Sequence, residues 1–298
     1  MADGLKPTLA ELTALRRVAQ RRAPARKGRH NLTGPSASSL RGRGMEYAES
    51  REYVAGDDVR HIDWRLTARS GRTHTKLFQA ERERLTLLVA DTSPALYFGT
   101  RVRFKSVQAA RAGAVAVWSA IRDGDRVAII RGSAEEAPVP PASGPRGALR
   151  VLDALVRWYA QPPRDDAGLA AALDNAGRLL RPGSRLIVLA DPRSIAAVPE
   201  TRWPALAAHH EVVVLLLTDA LEREPPSDLL PFMVGGRRVE LDLSVAAQRQ
   251  QWRDEFVRPM ESALEKLPQR GVRAYSLAND APSESWLPLL GRAQPQVA

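Results

Sequence analysis

Apolar positions in this chain fall into short unbroken runs separated by stretches of helical period. Leu85–Ala90 (L-T-L-L-V-A), Val127–Ile130, Arg185–Ala190 (R-L-I-V-L-A) and Val212–Leu217 are apolar runs of strand length. Such runs are expected of strands buried on both faces of a parallel sheet. Between the first two, Phe104, Val107, Arg111, Ala114, Trp118 and Ile121 recur at helical spacing and predict a helix over 103–122. Further helices are expected over 147–160, 167–180, 202–209 and 244–268, with a last strand at Val272–Leu277. Asp123-Gly124-Asp125 reads as a turn and Ala137–Pro145 as a proline-rich loop. Strands alternating with helices predict an α/β fold with a mostly parallel sheet flanked by helices.

The N-terminal third follows a different pattern. Thr8-Leu9-Ala10-Glu11 is a capping box after Pro7, and Leu9, Leu12 and Val18 follow, which predicts a helix over 8–20. A polar segment rich in Pro, Gly and Arg comes next. Thr73–Ala80 alternates enough to be a strand, so the region before the α/β part reads as small and strand-rich. The expected division is a basic helix and arm over 1–40, an Arg/Asp-rich subdomain over 41–84, and the α/β domain over 85–290.

Composition narrows the function classes. With 44% hydrophobic residues the 298-residue chain can bury a real core, and with no cysteine it has no disulfide, no Cys-based zinc site and no thiol nucleophile. The longest apolar run, Val212–Leu217, is far short of the roughly 18 residues a membrane span needs. The opening Met-Ala-Asp-Gly-Leu-Lys-Pro has no apolar signal core, so the expected location is cytoplasmic. Of the net charge of +10, residues 1–84 carry +8, from 18 Lys+Arg against 10 Asp+Glu. Between Glu11 and Glu46 there is no acid, only Arg16, Arg17, Arg21, Arg22, Arg26, Lys27, Arg29, Arg41 and Arg43. Such an arm can meet nucleic acid, anionic lipid or an acidic protein, or simply stay solvated.

The densest chemistry lies in Gly42–Arg69, where Arg51, Arg60, Arg65 and Arg69 alternate with Glu46, Glu49, Glu52, Asp57, Asp58 and Asp63, and Tyr47, Tyr53 and Trp64 are interleaved. Gly56-Asp57-Asp58 is turn chemistry. Guanidinium forks match carboxylates bidentately and stack on aromatic faces. Pairing of Arg51, Arg60 and Arg65 with Asp57, Asp58 and Asp63 is therefore expected, with Tyr53, Ile62 and Trp64 on the buried side. Three roles suit such a block, a clasp that pins a hairpin or loop to the α/β core, a docking face for a partner protein, and catalysis by its acids. The five histidines, His30, His61, His74, His209 and His210, show no metal-ligand spacing.

Two acids follow strands, Asp91 after Leu85–Ala90 and Asp191 after Leu186–Ala190, where open α/β sheets bind ligands. Asp91-Thr92-Ser93-Pro94-Ala95 resembles the D-x-S-x-S metal-ion-dependent adhesion motif of von Willebrand factor A domains. The preceding G-x-G-M-E-Y…R-x-Y…G-D-D-x-R-x-I-D-W-R…A-R, closely over residues 40–100, resembles the bacterial family labelled domain of unknown function fifty-eight. That resemblance implies a von Willebrand factor A-like, Rossmann-type fold. As partners it implies a MoxR-type AAA+ ATPase and other von Willebrand factor A-like proteins. It also implies a Mg²⁺ site at Asp91, Ser93 and Asp191. Ala95 and Ala167 stand where the motif carries hydroxyls, which predicts a degenerate site with Mg²⁺ weak or absent. Nucleotide-binding and hydrolase signatures such as G-x-x-x-x-G-K-[ST] and G-x-S-x-G are missing. The leading expectation is a non-enzymatic adaptor or interaction module. The alternatives are a nucleic-acid-binding protein using the basic arm and a metal-dependent hydrolase using Asp91, Asp191 and a nearby acid.

Overall fold

A computed structural model of the chain describes residues 4–20, 45–80, 84–234 and 237–290. In chain order the elements are α1 (Leu9–Ala14), α2 (Arg16–Gln20), β1 (Met45–Glu52), α3 (Trp64–Ser70), β2 (His74–Ala80) and β3 (Leu85–Ala90). Then come α4 (Lys105–Arg122), β4 (Arg126–Arg131), β5 (Val139–Ala142), α5 (Gly144–Tyr159), α6 (Gly168–Leu179), β6 (Arg185–Ala190) and α7 (Pro192–Ala196). The last are α8 (Arg202–Ala207), β7 (Glu211–Thr218), α9 (Ala220–Arg223), β8 (Leu229–Val234), β9 (Arg237–Asp242), α10 (Ala246–Trp252), α11 (Arg258–Gln269) and β10 (Arg273–Ala278). The chain divides into two compact units, one of residues 1–28 and 84–298 and the other of residues 29–83.

The larger unit is built on a six-stranded sheet ordered β10-β7-β6-β3-β4-β5. All neighbours run parallel except β5, which is antiparallel to β4 at one edge. Numbered by their own sequence, these strands give the order 3-2-1-4-5-6, the von Willebrand factor A-like, Rossmann-type arrangement. Its switch point lies between β3 and β6. The near-unbroken apolar runs have a simple cause, because β3, β4, β6 and β7 are buried on both faces of the sheet. Leu88 of β3 packs with Val115, Trp118 and Leu155 on the side of α4 and α5. Leu87 and Val89 pack with Leu173, Trp203 and Leu267 on the side of α6, α8 and α11.

The N-terminal helix belongs to this core and is not a separate arm. Leu12 and Ala19 are fully buried and join the α4/α5 cluster, and the Trp118 indole donates to the Leu12 carbonyl at 3.0 Å. The Thr8 side chain caps α1 by accepting from the Glu11 amide at 3.3 Å, as the capping box predicts. Three other elements depart from expectation. The proline-rich loop contains β5, whose two prolines are tolerated because it is an edge strand. The long helix expected over 244–268 is interrupted by five π-helical residues, Arg253–Val257. Pro259, which follows them, has no N–H for the normal i→i−4 bond. An antiparallel hairpin, β8 with β9, fills a stretch with no element expected.

At the amino edge of the sheet, an ionic clasp ties four strands. The Glu211 carboxylate, at the start of β7, accepts from Arg84 before β3, from Arg185 Nε of β6 at 3.0 Å and from Arg273 Nη2 of β10 at 2.6 Å. Burial works to raise the Glu211 pKa, and Arg185, Arg84 and Arg273 together outweigh it and hold it below its ordinary value.

In the smaller unit, β1 pairs antiparallel with β2, from Met45 opposite Ala80 to Glu52 opposite His74. The connection carries α3, which Gly71 closes in a left-handed conformation (φ +71°) while its N–H bonds the Thr67 carbonyl.

Candidate functional site

Asp91 and Asp191 come together at the carboxyl edge of the sheet, where β3 and β6 run side by side. The Asp91 amide bonds the Leu189 carbonyl at 2.9 Å, and the Asp191 amide returns a bond to Asp91 Oδ2 at 2.9 Å. Asp91 Oδ1 accepts from the Ser93 amide at 2.9 Å, and Ser93 Oγ also donates to Oδ2 at 3.2 Å. The Asp91 carboxylate is buried, and burial pushes its pKa up against these bonds. Thr92, between them, donates to Asp166 Oδ1 at 2.9 Å. The loop carrying Asp166 can approach because Gly132 lacks a side chain. A Cβ there would lie 2.1 Å from the Gly168 carbonyl oxygen.

Asp191 turns away from Asp91. Its Oδ1 caps α7 by accepting from the Arg193 amide at 2.9 Å and Arg193 Nε at 3.1 Å. Its Oδ2 accepts from Lys105 Nζ at 2.7 Å. Lys105 is fully buried, and its ammonium also donates to Glu222 Oε1 at 2.5 Å. Glu222 Oε2 accepts from the Asp219 amide at 3.1 Å. For Asp191, burial works upward, but Lys105 and Arg193 outweigh it and hold its carboxyl below the usual range. For Glu222 burial wins over Lys105 and the pKa rises.

Lys105 and Glu222 are functional-edge residues that the sequence patterns do not single out. One signal is available, since Lys105 opens a helix whose first sixteen residues are almost all buried, so a cation there needs an internal partner. The partner carboxylates lie 86 and 117 residues downstream, which no local pattern reveals.

The donor set does not suit a divalent cation. Mg²⁺ requires convergent oxygens with free lone pairs. Here the Asp91 oxygens face amide and hydroxyl donors, and Asp191 faces a lysine and an arginine. At the positions where hydroxyls are expected, Ala95 and Ala167 offer none. Ser93 Oγ accepts from Ser194 Oγ at 3.2 Å.

In the smaller unit, two of the three expected ion pairs form. Arg51 Nη2 lies 2.7 Å from Asp57 Oδ1, and Arg60 grips both Asp58 oxygens at 3.0 and 2.7 Å. Asp57 also accepts from the Val54 amide at 3.0 Å, and Tyr53 Oη donates to the Asp57 carbonyl at 3.2 Å. The third pair does not form. Asp63 caps α3, accepting from the Leu66 amide at 3.1 Å and from Ser50 Oγ at 3.0 Å. An Asp immediately before a helix satisfies an orphan amide better than it serves a neighbouring guanidinium. The Leu66 amide is also the main reason its pKa is lowered.

Trp64, expected on the buried side, is 69% exposed. It lies on one helical face with Arg65, Ala68 and Arg69, all exposed, while Leu66 and Thr67 are half-buried. Trp64 opens the helix immediately after the Asp63 cap, so its side chain falls on the solvent face set by Leu66.

Of the basic arm, Arg16 and Arg17 lie in α2. The Arg16 guanidinium sits 5.4 Å from the Trp118 ring centroid, and Arg17 is exposed. Arg21, Arg22, Arg26, Lys27 and Arg29 lie outside the described residues. Among the described residues no helix is long and apolar enough to cross a membrane.

Uncharacterized proteins of Mycobacterium tuberculosis and Mycobacterium bovis are 32% identical over 200 residues, 65% of this chain. The match spans 62% of those relatives' own length. Among solved structures, the conserved hypothetical protein BatB from Bacteroides thetaiotaomicron aligns with TM-score 0.41 and 14% identity, over 69% of this chain and 95% of that one. An aerotolerance-related membrane protein from Bacteroides fragilis aligns with TM-score 0.40 and 15% identity, over 70% and 96%. The model of the family described as Protein of unknown function DUF58 matches residues 49–265, and this chain belongs to that family.

Proposed function

We propose that this chain is a non-enzymatic interaction module that docks onto a MoxR-type AAA+ ATPase through the exposed face of α3. The observation that carries the proposal is Trp64. An indole 69% open to solvent, flanked by Arg65 and Arg69, is the residue chemistry enriched at binding hot spots. The neighbouring arginines Arg51, Arg60 and Arg72 are each held by an acid within the same unit. Arg65 and Arg69 have no such partner among the described residues, so an acidic patch on the ATPase is the complementary surface.

The carboxyl edge of the sheet supports the non-enzymatic part of the reading. Its acids are engaged by fixed protein donors, and the space beside Asp191, Glu222 and Phe256 is about 10 Å³, room for a water. The test is binding to a purified MoxR-type AAA+ ATPase. Trp64→Ala weakens binding about 30-fold or more, as loss of a hot-spot anchor of about 2 kcal/mol implies. Arg69→Glu weakens it further at low salt. Wild-type affinity in the Trp64→Ala variant, or no binding by the wild type, would refute the proposal.

A further inference from the structure

The carboxyl edge of this sheet holds a cation that belongs to the chain. We propose that Lys105 supplies from within the positive charge that a divalent ion would bring to this edge, and that the edge is consequently closed to Mg²⁺. The inference goes beyond the docking role and does not depend on it.

Three observations carry it. The Lys105 ammonium is fully buried and lies between two carboxylates that come from different loops, Asp191 after β6 and Glu222 in α9. A buried ammonium is tolerated only when it is paired and hydrogen-bonded, and this one is paired twice. Next, Lys105 occupies the first position of α4, where the helix dipole disfavours a cation. Its presence there is explained by the two carboxylates and by nothing in the helix. Finally, each remaining oxygen already accepts from the protein. Asp191 Oδ1 faces Arg193, Glu222 Oε2 faces the Asp219 amide, and Asp91 faces the amides of Ser93 and Asp191. With alanines at 95 and 167, an incoming ion would have to displace Lys105 and break amide bonds without gaining a hydroxyl ligand. Direct lysine–carboxylate contact offsets one of the two negative charges, Arg193 on Asp191 faces the other, and neither requires dehydration of Mg²⁺.

The test uses the full chain, stripped with EDTA. Manganese, as Mn²⁺ followed by electron paramagnetic resonance, is the probe of binding, and calorimetric unfolding is the probe of stability. The wild type shows no Mn²⁺ uptake, and millimolar Mg²⁺ moves its Tm by less than about 1 °C, because a ligand that bound only the folded state would raise it. Lys105→Met, which keeps most of the length of the side chain and removes the charge, lowers Tm by about 10 °C in EDTA, since it leaves the buried Asp191 and Glu222 carboxylates without the ammonium between them. If that variant cannot be purified folded, Lys105→Arg, which keeps the charge, folds and unfolds independently of Mg²⁺. Mn²⁺ uptake by the wild type that Asp191→Asn abolishes would overturn the proposal. So would a Lys105→Met protein as stable in EDTA as the wild type.

Discussion

Glu211→Gln removes the charge at the centre of the amino-edge clasp and leaves the side chain nearly isosteric. Its carboxylate receives three guanidinium groups, from Arg84, Arg185 and Arg273, whose side chains are 30, 4 and 17% exposed. A hydrogen bond to a charged group contributes about 1.5–3 kcal/mol, and removing one partner of a buried ionic cluster costs about 3–5 kcal/mol. Glutamine keeps one acceptor oxygen, and the site is partly solvated, so the lower end applies, about 3 kcal/mol. For a unit of this size that is a fall in Tm of about 6–12 °C, read by calorimetry at neutral pH. The effect also has a pH signature. Glu211 has a folded pKa below its ordinary 4.5, so its stabilisation is fully present above 4.5 and is lost as pH falls through the folded value. The gap between wild type and Glu211→Gln therefore narrows on acidification below about pH 4.5, and nowhere above it. A Tm within about 2 °C of the wild type at pH 7, or a gap that does not change with acid, would refute the reasoning.

Other consequences follow from single contacts. Leu12→Ala, at a fully buried position under α4, destabilises the larger unit by about 2–5 kcal/mol in urea titration, whereas a detachable arm would tolerate it. Gly132→Ala forces a Cβ against the Gly168 carbonyl and lowers Tm by several degrees; in a crystal structure of the variant, Thr92 Oγ1 and Asp166 Oδ1 stand beyond hydrogen-bond distance. Asp63→Ala removes the α3 cap. On the docking proposal it weakens ATPase binding while the Arg51–Asp57 pair stays formed, which nuclear magnetic resonance of the guanidinium protons can follow.

Much of the larger unit is legible in the sequence because its strands are buried on both faces. Leu85–Ala90 and Arg185–Ala190 match the observed strands end to end, and the run 212–217 lies within β7. β5 escapes notice because prolines mark a loop in every local reading, and only its position at a sheet edge makes them acceptable. The β8–β9 hairpin carries a usable cue in Gly235-Gly236 between the apolar run 229–234 and the alternating Arg238-Val239-Glu240-Leu241-Asp242. Asp91 and Asp191 stand out because strand ends are visible in a sequence. Their partners do not, because Lys105 and Glu222 reach the site through the order of strands in the sheet. Trp64 is misplaced for a related reason. An aromatic among charges suggests burial, but the helical phase set by the Asp63 cap turns it to solvent.

The most direct measurement of the docking account is amide hydrogen exchange of the full chain, alone and bound to the MoxR-type ATPase. The account predicts added protection over Trp64–Ser70, with the amides of Ser93, Asp191 and Arg193 unchanged. Protection at the carboxyl edge of the sheet with α3 unaffected would contradict it.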